Sequence, residues 1–178
     1  MNTVLDRLAG GDFRSIGGSN RVVQSALANP KIFPNIFAGL LHADPLIRMR
    51  AADAVEKITK IHPEWLQPFK RTLLQKVVLI EQQEIRWHVA QMIPRLNVTV
   101  QERNGIVQAL FTWLNNKRES KIVRVMALQA LFDLAKSDTH LKTKVIRRLR
   151  ELVRTGAPSL RSRSRKLLKE FAAKPAKI

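Results

Sequence analysis

The sequence predicts an all-α protein built as a stack of helical hairpins, and three observations carry that prediction. A pattern of apolar residues and arginine recurs about every 38 residues, each copy has helical rather than strand spacing, and strand signals are weak throughout. A fixed period in this length range marks a stack of supersecondary units, each unable to bury its apolar face alone. Residues 46–58, LIRMRAADAVEKI, show the period. A shift of 38 carries Ile47 and Arg48 onto Ile85 and Arg86, and Ala52 onto Ala90. A second shift reaches Val123 and Arg124, with Ala51, Ala54, Val55 and Ile58 falling on Ala127, Ala130, Leu131 and Leu134. A step of 37 then reaches Leu160 and Arg161, followed by Leu167, Leu168 and Phe171.

Within a copy, Ile47, Ala51, Ala54, Val55 and Ile58 fall at i, i+4, i+7, i+8 and i+11, one face of a helix. The small alanines on that face let a second helix come close. A companion helix precedes each copy. Its apolar positions are Ile36, Phe37, Leu40 and Leu41; then Leu66, Phe69, Leu73 and Val77; then Val107, Leu110 and Leu114; then Leu141, Val145, Leu149 and Leu152. Asn29-Pro30 and Asp44-Pro45 read as a capping residue followed by proline in the first turn, and TVQE at 99–102 fits a capping box. The expected organisation is a single domain, 1–178, with a divergent segment or partial repeat at 1–28. Repeats follow at 29–62, 63–97, 98–136 and 137–172, and a tail at 173–178.

DPLIRMRAADAV, with its Asp-Pro, its apolar-Arg pair and its spaced alanines, resembles the second helix of the HEAT repeat family. The resemblance runs over roughly residues 29–171. Only the copy at Asp44 carries Asp-Pro; the others have Gln82-Gln83, Glu119-Ser120 and Gly156-Ala157-Pro158 near that point. The resemblance implies a right-handed α-α superhelix of four to five hairpins, second helices on its concave face. It also implies that the recurring arginine is structural, bonding to turns within and between repeats.

The chain has 178 residues, no cysteine and 45% hydrophobic residues, which suits a globular fold without disulfides or thiolate metal sites. The first 18 residues have neither the charged start nor the apolar run of a secretory signal, and no window reaches the ~20 apolar residues of a membrane span, so a cytoplasmic location is expected. Net charge is +18, unevenly placed: residues 1–90 carry +4 and residues 91–178 carry +14. Such an excess favours an anionic partner.

That charge defines the main candidate site. In THLKTKVIRRLRELVRTG, 139–156, Arg147, Arg150 and Arg154 lie opposite the apolar stripe; on the partner helix stand Arg161, Arg163, Arg165, Lys166 and Lys169. Phosphate contacts from such residues give sequence-independent, salt-sensitive binding. Solvation of a terminal repeat is the competing explanation, with Ser164 and Arg165 standing where the preceding copy has Ala127 and Leu128. A second candidate is a concave-face set, Arg50, Asp53, Arg86, Trp87 and His88, where Trp87 would stack on a base or hold a peptide side chain. Trp65 and Trp113 are read as packing residues. RSIGGSN at 14–20 is either an anion cradle of backbone amides or a turn with Ser19 or Asn20 capping the next helix.

Catalytic chemistry is thin. The four histidines lack ligand spacing, no metal motif occurs, and no serine sits in a nucleophile elbow, so neither a metal nor a cofactor is expected. The sequence therefore points to a non-enzymatic binding module for an anionic partner, nucleic acid foremost, with a protein adaptor for an acidic or helical partner as the alternative. A second alternative is resemblance to the HEAT-like alkylpurine DNA glycosylases, which would use Asp53 and Trp87, although no Trp-Asp-rich segment is present.

Overall fold

The computed structural model describes residues 3–173. They divide into two compact units, Met1–Val100 and Gln101–Ile178. Among the described residues all regular secondary structure is helical.

The first unit begins with a 3-10 turn, Asp6–Leu8, and an extended loop leading to α1, Ser19–Ala28. Asn29 caps the next turn, its side chain accepting from the Lys31 amide at 3.3 Å, and Pro30 opens it. α2, Phe33–Ala38, and a 3-10 turn, Gly39–Leu41, complete the outer arm of a hairpin. α3, Pro45–Ile61, is its inner arm, started by Asp44, whose Oδ1 accepts from the Leu46 amide at 2.8 Å. The caps foreseen at Asn29 and Asp44 are both present. A 3-10 stretch, Pro63–Phe69, then α4, Lys70–Gln75, forms the next outer arm, broken by Pro68; α5, Gln83–Met92, is its inner arm. Pro68 can offer no amide, which accounts for an outer arm in short pieces.

α3 is central to this unit because α1, α2 and α5 all pack on it. Ala51, Ala52, Ala54 and Val55 are wholly buried, the small side chains permitting that many neighbours. The outer arms meet through aromatic rings: Phe33 lies edge-on to Trp65 at 5.5 Å and to Phe69 at 5.6 Å, and Phe37 stacks on Phe69 at 4.4 Å. Trp65 is thus a packing residue.

α6, Val100–Asn115, starts directly after Thr99 and, past its first residue, belongs to the second unit, with α7, Lys121–Ala135; α8, Thr139–Thr155; and α9, Pro158–Ala172. α7 packs on α8 and α9, and α8 and α9 form a close hairpin. α6 buries Ile106, Leu110, Trp113 and Leu114. Val107, the sequence choice for that face, is only half-buried, and Ile106 takes its place. Ser120 and Asp138 cap α7 and α8, accepting from Val123 at 3.3 Å and Leu141 at 2.9 Å.

Candidate nucleic-acid interface

α8 carries Leu141, Val145, Leu149 and Leu152 into the core. At 100° per residue, Arg147, Arg150 and Arg154 then point directly away from it. All three are exposed, as are Arg161, Arg165, Lys166 and Lys169 on α9. Among the described residues none of these seven side chains makes a hydrogen bond or an ion pair closer than 4 Å. Arg163 differs: it is half-buried and its Nη1 donates to Gln129 Oε1 on α7 at 3.1 Å, so it ties α9 to α7 and leaves the anion-binding set. Ser164 is also corrected. It is wholly buried, its Oγ without a hydrogen-bond partner, because α9 uses it as the small residue that alanine supplies elsewhere.

The recurring arginines have internal work. Arg48 donates from Nη1 to the carbonyls of His42 and Ala43, at 2.7 and 2.9 Å, and from Nε to Gln82 Oε1 at 2.8 Å. Gln82 in turn donates to the Pro45 carbonyl at 2.8 Å, so the glutamine at the Asp-Pro position keeps the link between repeats. Arg124 Nε donates to the Leu114 carbonyl at 3.0 Å. Arg161 alone of the four is exposed and free of side-chain bonds.

Repeated hairpins, an arginine latch between successive inner helices and a matching sequence profile all coincide: the family model for the HEAT repeat domain matches residues 14–171. The chain belongs to the HEAT repeat family. Its fold class is that family's all-α solenoid, and the family supplies binding modules and scaffolds. No curated protein matches the chain.

The HEAT-repeat concave-face candidates in the first unit are mostly spent on structure. Arg50 is 1% exposed and its guanidinium is ringed by carbonyls: Leu8 at 2.7 Å, Gly10 at 2.5 Å, and Asp12 and Ser15 both at 3.1 Å. It cannot reach a partner, which corrects its place in the candidate set. Asp53 accepts from Ser19 Oγ at 2.5 Å and from Lys57 Nζ at 2.8 Å. His88 is buried with Nδ1 unpartnered, and burial pushes its pKa down although Asp53 and Glu56 pull it up, so the ring is neutral at pH 7 and is also withdrawn from the set. Arg86 sits 3.7 Å from Glu81. Trp87 is half-buried, with its ring 5.6 Å from the His88 ring.

In the RSIGGSN stretch the Ser15 carbonyl accepts from Arg50 Nε, and the carbonyls of Leu8, Gly10 and Asp12 just before it complete the ring around that cation, so the anion-cradle reading is not supported. α1 starts after Gly18 without a side-chain cap, Ser19 being engaged by Asp53. Among the described residues no group of three or more His, Asp or Glu could hold a metal, and no helix is long and apolar enough to cross a membrane.

Sequence reasoning missed a cleft in the second unit, between the C-terminal turn of α6 and the flank of α8. Phe111, Asn115, Lys144, Arg147, Arg148 and Glu151 line a cavity of about 450 Å³ there. Lys144 and Arg148 at i, i+4 beside the arginine face were the available signal; what they face across the cleft was not.

Proposed function

We propose that this HEAT-repeat chain is a non-enzymatic module that binds the phosphate backbone of nucleic acid through the outward faces of α8 and α9. The observation that carries this reading is the set of seven exposed, unbonded cations on those two helices. Arg147 and Arg150 at i+3, and Arg150 and Arg154 at i+4, repel by a few tenths of a kcal/mol per pair. Glu151 offsets part of that cost, but on α8 and α9 the exposed cations far outnumber the acids, and the excess favours a compensating anion.

Such binding depends on counterion release, and its logarithm falls linearly with the logarithm of salt concentration. Fluorescence anisotropy with a mixed-sequence oligonucleotide, titrated across salt, measures it. Reversing Arg147, Arg150 and Arg154 to glutamate is expected to lower the salt slope by about one unit per residue that meets a phosphate. Thermal stability should hold, since none of the three is buried. No binding at low salt, or binding indifferent to salt, overturns the reading. The concave-face set, Arg50, Asp53, Arg86, Trp87 and His88, was open to a base or a peptide alike, and four of these are engaged or buried, which leaves α8 and α9 as the better-exposed surface. Asp53, the residue a glycosylase reading would need, is held by Ser19 and Lys57.

A further inference from the structure

The cleft beside α8 has the chemistry of a seat rather than a surface. A second cavity, of about 510 Å³, continues it along α8 past Thr155, with Lys117 and Arg124 on its far wall; Arg148 and Glu151 belong to both. From Lys144 to Thr155 the helix rises about 16 Å, which gives room for more than one phosphate. Each cavity falls within the ~300–1,000 Å³ that holds a small ligand, comparable with a nucleotide and far too small for a duplex.

The charges do not balance. Arg124 is occupied by the Leu114 carbonyl. Lys117, Lys144 and Arg147 are exposed and have no side-chain bond among the described residues. Arg148 donates to Glu151 Oε1 at 2.7 Å, and its Nε is buried with no hydrogen-bond partner. Arg148 Nε is closed to solvent, so an incoming acceptor meets the guanidinium at Nη1, the nitrogen that now holds Glu151. Glu151 is the one acid in the cleft, and Arg148 holds its carboxyl below the usual carboxylate range, with Arg154 and Arg147 adding to the effect.

We propose that this cleft seats phosphate groups of a single nucleic-acid strand, Arg148 exchanging Glu151 for a phosphate oxygen while an adjacent base stacks on Phe111. The inference rests on the nucleic-acid reading above and makes it specific. A phosphate oxyanion fits the two-donor fork of a guanidinium as a carboxylate does, so Glu151 occupies the ligand's place in the free protein. Phe111 is half-buried and lines the cleft, the one aromatic side chain among its lining residues and so the one on which an unstacked base could lie. Bases paired in a duplex have no face to offer, and a duplex meets the outward arginines instead.

The test is anisotropy of the full chain with one 12-nucleotide sequence, single-stranded and as a duplex, at about 50 mM salt. Glu151→Gln is expected to raise single-strand affinity about threefold to tenfold and duplex affinity much less. Glu170→Gln removes an equal charge from α9, away from the cleft, and should shift both alike. Phe111→Leu, with its helicity checked by circular dichroism, should lower single-strand affinity selectively. In parallel, the Arg148 Nε–Hε resonance should move when the single strand is added. If it moves with inorganic phosphate but not with the strand, the seat belongs to free phosphate and the strand proposal fails. If wild-type protein binds both nucleic acids but Glu151→Gln and Glu170→Gln act identically, the cleft inference falls and the outward-face reading survives. If neither nucleic acid binds, both fall.

Discussion

Arg50 should be among the costliest surface-remote side chains to lose in the first unit, although its bonds all go to backbone carbonyls and none to a carboxylate. Arg50→Met keeps most of the stem volume and deletes the guanidinium. Three of its four bonds, to the Gly10, Asp12 and Ser15 carbonyls, are part-buried. Those carbonyls regain water when the loop loosens, at about 1 kcal/mol each. The Leu8 bond is buried, and its carbonyl is stranded without a donor, for about 1–3 kcal/mol more. Relief from burying a cation offsets part of this, leaving a loss of about 3–5 kcal/mol, a large share of an ordinary domain's ~5–15 kcal/mol. Urea unfolding followed by Trp65 and Trp87 fluorescence measures it. Release of the loop is a second, independent readout: Arg14 lies inside it, its side chain 90% exposed, and trypsin should cut there much faster in the variant. Arg50→Lys should recover less than half, because one ammonium cannot reach four carbonyls. A loss under about 1 kcal/mol with unchanged cleavage would refute the caging argument.

Gly17→Ala should cost more than Gly10→Ala in the same assay. Both have positive φ, but a Cβ on Gly17 falls 2.6 Å from Arg50 Cζ while one on Gly10 meets nothing, so about 1 kcal/mol of backbone strain is common to both and the excess is the clash. Gln82→Ala should destabilise by about 1–2 kcal/mol, leaving Arg48 Nε and the Pro45 carbonyl without their partner. His88 has a folded-state pKa below its unfolded value, so the unfolded chain binds the proton better. Its contribution is complete above about pH 6.5 and is lost as pH falls toward the folded value, by up to about 1.4 kcal/mol per pH unit. His88→Gln, neutral throughout, should flatten urea stability between pH 6.5 and 5, and an unchanged slope would count against a buried neutral ring.

The repeat was legible because burial imposes a period on the chain. Ile47, Ile85, Val123 and Leu160 are all buried where the shifts placed them. What the period could not show was which polar side chains the fold would use internally. Arg50 follows Arg48 by two residues, and nothing in the local sequence distinguishes it from an exposed arginine. Its acceptors lie 35 to 42 residues earlier, at Leu8, Gly10, Asp12 and Ser15, and only Ser15 falls in the stretch that read as either an anion cradle or a turn. Ser164 misled for the opposite reason: its polarity suggested solvent, whereas its small volume was what the helix contact used. The outward arginines of α8 were legible from helical spacing alone, because exposure opposite a strong apolar stripe needs no tertiary information. The cleft was not, since Phe111 and Arg148 are brought together only by the packing of separate helices.

The structural arginines also bear on how the free ones act. Arg50, Arg124 and Arg163 are satisfied by carbonyl or amide oxygens, not by carboxylates. A carbonyl completes the hydrogen bonding of a guanidinium but leaves its full charge in place, so these residues hold the fold and still add to the positive field around each unit. In the second unit the field seen by an approaching polyanion therefore exceeds what the exposed side chains alone would give. Steering and equilibrium contact then separate: an arginine inside the fold speeds encounter without touching phosphate, whereas Arg147, Arg150 and Arg154 do both. Arg163→Gln should accordingly lower the association rate slightly and leave the equilibrium salt slope almost intact. Arg150→Gln should lower the slope by about one unit and relieve two like-charge spacings on α8. Stopped-flow association rates measured beside equilibrium titrations decide it, and equal effects of the two substitutions on the salt slope would mean that bonded and free arginines are not functionally distinct.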